Sequence, residues 1–355
     1  MLRYKEIKKQ LSIMIAELQP GEPLPSREAL CEMLNSSYAT VHKAVQELVC
    51  EGELYTRQGS GTYVTGNKPE PQESHVIGIL IPNNTQIAYR SLIHSIEKAM
   101  SARHTGIMLA CTDGDGDLQN RKLSRLLSHH LSGVIIIPAF NSDLVKDYVL
   151  HTRLQQYQVP AVFCYRGVEG MPDAPMIGYN NFYMGYLATK HLISKGYRHI
   201  MYMSEYMLRT TTDRYQGYVT AMIENDLEIQ KEAIVLKTLR DGRANEYEDM
   251  CRILNSDCEV DAVFCAPDYL VPGVCRAIRD CGKRISDDVG VITVDNSDVC
   301  YNESPQITSL GGMDEEIGQR AADTLWRMIQ GESVDIPFYL VLPSIYERGS
   351  CLGPK

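Results

Sequence analysis

Leu24-Pro25-Ser26, Ser37-Tyr38-Ala39-Thr40-Val41-His42-Lys43-Ala44 and Arg57-Gln58-Gly59-Ser60-Gly61-Thr62-Tyr63-Val64 decide how the N-terminal part of this 355-residue chain is read. Ser26 precedes a short apolar-periodic run with inner positions Leu30, Met33 and Leu34. Ser37 precedes a second run with inner positions Val41, Ala44, Val45 and Leu48. A serine at either point supplies an acceptor for the first unpaired amides of a helix. Gly52 closes the second run. Leu54-Tyr55-Thr56-Arg57 and Thr62-Tyr63-Val64 then read as two strands joined by Gln58-Gly59-Ser60-Gly61. Upstream, Tyr4, Ile7, Leu11, Met14, Ile15 and Leu18 recur at spacings of three and four, the stripe of an amphipathic helix that Pro20 and Gly21 end.

That order, over residues 1–66, is a winged helix-turn-helix of α+β type. It resembles the DNA-binding domain of the GntR family of bacterial transcription regulators. The resemblance implies a third helix lying in the major groove of double-stranded operator DNA and a wing tip reaching the minor groove. It further implies phosphate contacts from Ser26 and Thr40, a backbone contact from Arg57, and close approach of the wing at Gly59 and Gly61. Arg27, Ser37, Tyr38, His42, Lys43 and Ser60 complete the expected interface. The chain departs from the family at Tyr38 and His42, where arginine is usual. Each offers one hydrogen bond where arginine presents two parallel donors to guanine. Glu28 also stands where the family carries a phosphate-binding arginine, with Lys43 as partial compensation. Residues 1–66 hold seven Lys and Arg against eight Asp and Glu, a net of −1. That is a small charge for a surface that draws affinity from neutralised phosphates. A winged helix kept as a protein-interaction module is the alternative.

Bulk composition, 44% apolar and 23% charged, is that of a soluble globular protein of two or three domains. The first residues run into the amphipathic helix without an apolar leader, and no later run approaches a membrane span, so a cytoplasmic protein with no membrane partner is expected. Eleven cysteines, an odd number with no Cys-x-x-Cys, suggest buried apolar residues in place of a disulfide framework or zinc ribbon. The overall charge of −10 leaves −9 for the remainder of the chain, which is no nucleic-acid surface. Asp113-Gly114-Asp115-Gly116-Asp117 alternates acids like a calcium loop, but Leu118 and Ser124 replace the glycine and glutamate it needs. A strand-to-helix loop is expected there. The histidines at 129, 130, 191 and 199 lack metal spacing, and no nucleophile motif is present, so neither metal, cofactor nor enzyme activity is expected. A winged helix fused to a pyridoxal-phosphate aminotransferase-like body would need a longer body and a cofactor lysine motif.

Residues 67–75 are polar with two prolines and read as a linker to a body over 76–355. In the body, apolar strands at 76–81, 107–110, 134–137 and 161–163, and again at 200–203, 233–236, 262–264 and 289–294, alternate with helical patterns. Continuous apolar strands between helices imply parallel sheets covered on both faces. Two such series imply two lobes, the first over about 76–164 plus 297–328 and the second over about 165–296 plus 329–355.

Ile77-Gly78-Ile79-Leu80-Ile81-Pro82, Asp213-Arg214-Tyr215-Gln216-Gly217-Tyr218, Asp268-Tyr269-Leu270-Val271-Pro272-Gly273 and Val291-Ile292-Thr293-Val294-Asp295-Asn296 resemble, in order and spacing, the effector domain of the lactose/galactose repressor family. A GntR-type head on such a body is similar to the arabinose-repressor subgroup. The resemblance implies a doubly wound, periplasmic-binding-protein-like α/β body with a sugar-like effector in the cleft, at the carboxyl ends of the strands. Arg214 would donate to ligand hydroxyls, Asp295 would accept, and Tyr89 would supply a stacking or hydroxyl contact. Asp268 would either contact ligand or cap the helix beginning there, and Arg214 and Asp295 would either bind ligand or pair between the lobes. Tyr165-Arg166 stands where the family carries aspartate and arginine, Pro267 where asparagine is usual, and Asn180-Asn181 ahead of Gly185 where aspartate and asparagine are usual. An effector somewhat different from a plain hexose or pentose therefore stays open. The expected function is a DNA-binding transcription repressor acting as a homodimer under effector control. The alternative is a sugar sensor whose head has lost DNA binding.

Overall fold

Leu11, Leu30, Val41, Ala44, Val45 and Leu48 are fully withdrawn from solvent and, with Ile7, Ile15, Leu54 and Val64, form the core of the head. The structure is a computed structural model that describes residues 2–57, 60–65, 75–83, 87–139, 143–168, 171, 174–204, 209–236, 246–334 and 338–355, side chains excepted at 2–5 and 87–88. It divides into two compact units, Met1–Glu73 and Ser74–Lys355. The first contains α1 (Leu2–Glu17), α2 (Arg27–Met33), α3 (Tyr38–Cys50), β1 (Leu54–Arg57) and β2 (Gly61–Val64). Ser26 Oγ accepts from the Ala29 amide at 3.2 Å and Ser37 Oγ from the Thr40 amide at 3.4 Å, so both serines cap as their positions predict. Gly52, at φ +78°, ends α3: its amide reaches the Val49 carbonyl at 3.1 Å and the Glu53 amide the Leu48 carbonyl at 2.9 Å, the paired bonds of a Schellman motif. Met33 is 61% exposed and not an inner residue: α2 turns Leu30 fully inward, and Cys31 and Leu34 pack at the edge of the same core. The side chain of Tyr4 lies outside the described ones.

The second unit runs β3 (Val76–Ile81), α4 (Ile87–Ser101), β4 (Gly106–Cys111), α5 (Gly116–Leu127), β5 (Gly133–Ile136), α6 (Leu144–Tyr157), β6 (Ala161–Cys164) and β7 (Met176–Tyr179). There follow α7 (Asn181–Ser194), β8 (Ile200–Ser204), α8 (Arg209–Ile223), β9 (Ile234–Leu236), α9 (Glu246–Leu254), β10 (Ala262–Cys265), α10 (Val271–Asp280) and β11 (Gly290–Val294). The chain closes with α11 (Val299–Asn302), β12 (Thr308–Gly311), α12 (Asp314–Ile329), β13 (Phe338–Val341) and β14 (Ser344–Tyr346). One sheet has the order β13-β7-β6-β5-β3-β4, all parallel. The other has the order β14-β12-β11-β10-β8-β9, parallel except for β14. Helices cover both sheets, as continuous apolar strands require.

The lobe boundaries differ from those expected. β7 and β13 pair in the first sheet, and β12 pairs in the second. The chain therefore crosses between lobes at residues 179–181, 311–314 and 341–344, each one strand later than the sequence pattern places it. The three strands responsible, MIGY, TSLG and FYLV, are four residues long and give local pattern little to act on. Asp115 caps α5 through the Leu118 amide at 2.6 Å, which is the strand-to-helix loop expected of that acidic stretch. The cysteines divide: 164, 265, 275, 300 and 351 are buried, Cys50 is exposed at the end of α3, and the other five are half-buried. Among the described residues no helix is long and apolar enough to cross a membrane.

Candidate functional site

On the head, α3 turns Tyr38, Ala39, His42, Lys43 and Gln46 outward while Val41, Ala44 and Val45 face the core. Residues four apart share a helical face. The Tyr38 and His42 rings accordingly lie nearly parallel, with centroids 5.9 Å apart and planes 8° apart. The Thr40 hydroxyl is hydrogen-bonded to that of Ser37 at 2.8 Å, so both sit at the amino end of α3, where the unpaired backbone amides also lie. Arg27 is half-buried and donates to Thr62 Oγ1 at 3.1 Å, tying α2 to the hairpin; burial lowers its guanidinium pKa from the usual value. Arg57 lies over the rings of Tyr55 and Tyr63 at 5.6 and 5.5 Å, and the Ser60 and Tyr63 hydroxyls meet at 2.5 Å. Gly61 holds φ +134°, while Gly59 lies outside the described residues.

In the body, the expected cleft residues fall into two groups, one per lobe. The first forms around Arg214 on α8. Its backbone is brought hard against α7: a Cβ on Gly185 would stand 1.9 Å from the Arg214 carbonyl oxygen, and one on Gly217 would stand 2.0 Å from that of Phe182. Only hydrogen fits at this crossing. It aims Arg214, itself buried, so that Nε donates to Asn181 Oδ1 at 2.9 Å and Nη2 lies 3.5 Å from Asp295 Oδ1. Asp295 leaves β11 at φ +77° with its side chain 35% exposed, so its carboxylate stays open to a ligand while paired. Both residues belong to the lobe of the second sheet; the pair is not one between lobes. Asp268 is buried, and its Oδ2 accepts from the Ser297 amide at 3.0 Å without capping its own turn. Burial pushes its carboxyl up to about 6, the charge of Asp295 adding to the rise and the Ser297 amide opposing it.

The other group is aromatic. Tyr89 on α4 is buried with its ring 5.8 Å from that of Tyr165, which lies 6.1 Å from that of Tyr179. The hydroxyls of Tyr165 and Tyr179 donate to Asp314 Oδ1 at 2.8 and 3.0 Å, and the Met313 amide donates to the Tyr179 oxygen at 2.9 Å. Arg166 donates to the Pro138 carbonyl and is hydrogen-bonded to Tyr89. Burial raises the pKa of the Asp314 carboxyl, and the two tyrosine hydrogen bonds oppose that rise. The charge of Asp295 adds a smaller upward push on Tyr89, Tyr179 and Asp314. Arg90 and Asp298 meet between the lobes at 3.5 Å, both largely exposed. A guanidinium, one half-open carboxylate and tyrosine rings in the two lobes are groups of the kind that can hydrogen-bond and stack on a polyol, with fixed donors and acceptors beside flat apolar surface. Tyr179, Ser297 and Asp314 carry no motif. Their places follow from the chain crossings, and the only local signal is the glycine pair 311–312 ahead of Asp314.

Residues 3–64 match the model of bacterial regulatory proteins, gntR family, and residues 189–351 that of a periplasmic binding protein-like domain. The arabinose metabolism transcriptional repressor of Geobacillus stearothermophilus is 25% identical over 355 residues, 98% of this chain and 97% of that protein. The HTH-type transcriptional repressor PurR of Mannheimia succiniciproducens is 29% identical over 257 residues, covering 71% of this chain and 74% of the relative. A solved complex of the transcriptional regulator CelR with cellobiose matches with TM-score 0.67 and 21% identity, over 92% of this chain and all of that one, and so shares the fold. The matched body leaves no place for an aminotransferase-like one. A gntR-family match at the head thus stands beside a periplasmic-binding-protein-like match in the body, and the relatives similar to the chain are transcriptional repressors.

Proposed function

We propose that this regulator is a cytoplasmic repressor that binds operator DNA as a homodimer through residues 1–66, joined by a linker at 67–75 to a body that takes a carbohydrate-like effector between its lobes. The observation that carries the effector reading is the buried Arg214 held between Asn181 and the half-open Asp295 in one lobe, with the packed rings of Tyr89, Tyr165 and Tyr179 in the other. The names of relatives add support, since one is a repressor of arabinose metabolism and a structure of the same fold holds cellobiose. Linkage supplies the mechanism: an effector that prefers one relation of the lobes shifts the population toward it. The spacing of the paired heads, and so their affinity for paired half-sites, then changes.

A thermal-shift screen of neutral mono- and disaccharides against the full chain tests this. The effector at a hundred times its dissociation constant is expected to add about 2.7 kcal/mol of stability. Arg214→Ala is expected to abolish the shift. A panel without a single binder, or an undiminished shift in Arg214→Ala, contradicts the reading.

A further inference from the structure

Helix α3 contains no arginine and no asparagine. Outside α3, Arg27 is engaged with Thr62 and Arg57 lies over the hairpin tyrosines. The two-pronged donor that reads guanine in the major groove is therefore missing from the helix that would enter it. What α3 offers on its outward face near the amino end is a flat ring surface beside a methyl group. Tyr38 is 54% exposed with its ring parallel to that of His42, and the Ala39 methyl is exposed beside it. A large ring held on a solvent face with no core partner costs free energy in the free protein, and the stack fixes its rotamer before any partner arrives. The major groove has one apolar feature with which such a surface is complementary, the C5 methyl of thymine. Gln46, one turn beyond His42 and likewise exposed, is of the type that pairs with the adenine edge.

We propose that the Tyr38–His42 ring pair, with Ala39, reads thymine methyl groups, so that the half-site beneath the amino end of α3 is built of A·T pairs. This rests on the reading of residues 1–66 as the DNA-binding unit, and the test separates the two. The full-length protein is used to select from a random duplex library, and the enriched duplex is then rebuilt with single thymines replaced by deoxyuracil, which removes only the methyl. Enrichment of A·T pairs at the centre of each half-site is expected. Binding should weaken about fourfold for each contacted methyl lost, the factor for returning one methylene-sized group to water. The thymine-to-uracil ratio should fall to one in Tyr38→Ala and persist in Tyr38→Phe, which keeps the ring; Tyr38→Arg should move the selected pair toward G·C. A half-site of G·C pairs, a wild-type ratio of one, or an undiminished ratio in Tyr38→Ala overturns the inference and leaves DNA binding standing. A library from which nothing is enriched overturns both.

Discussion

Asp268 shows how a single side chain links the cleft to solution conditions. Its carboxyl is raised to about 6 because burial withholds water from the charge and Asp295 repels it, the Ser297 amide only partly offsetting both. Between the ordinary carboxylate range and about 6 the folded chain keeps a proton that the unfolded chain has released. Stability from this group therefore falls as pH rises through that window, and the loss is complete above it. Asp268→Asn keeps an acceptor for Ser297 and removes the charge. Relative to wild type it is expected to be level near pH 4 and more stable at pH 7.5, by on the order of 1 to 3 kcal/mol, in denaturant titrations at the two pH values. A difference that does not change with pH contradicts this account of the site. Ser26, Ser37, Arg214 and Asp295 were legible as residues because each lies within a short motif. Asp314 was not, since its partner Tyr179 is 135 positions away and the pair exists only once two chain crossings lie side by side.

At the scale of elements, the crossing of α7 over α8 is the part of the cleft least tolerant of change. Alanine at Gly185 puts a methyl into the Arg214 backbone, which has no flexible end to move aside. Gly185→Ala is expected to cost at least the roughly 1 to 3 kcal/mol of ordinary overpacking, and to weaken effector binding by displacing Arg214. Urea denaturation and effector titration of the variant check both; wild-type values in each would show that the crossing does not position Arg214. The alternation of strands and helices could be read from the apolar runs, as could the caps that start α2 and α3. The points where the chain changes lobe could not. β7 joins the first sheet beside β13, which arrives some 160 residues later, and β12 joins the second against β11 and β14. Such long-range pairing leaves only a four-residue apolar trace at each strand, and the expected boundaries each fell one strand short.

Considered whole, the molecule joins a head of net charge −1 to a large two-lobed body, each with its own core. A head so poor in cations gains little from phosphate neutralisation by itself, so pairing of two heads on two half-sites is expected to supply much of the affinity. Residues 1–73 alone should bind the selected operator at least about tenfold more weakly than the full chain in a mobility-shift titration. Equal affinity would remove the body as the dimerising unit. The central claim is that the cleft governs the head, and one measurement meets it directly: operator affinity with and without the sugar found by thermal shift, in wild type and in Arg214→Ala. The predicted result is a change of about 5- to 150-fold on adding the sugar to wild type, and none in Arg214→Ala. An operator affinity in wild type that ignores the bound sugar, or a full response in Arg214→Ala, would contradict it.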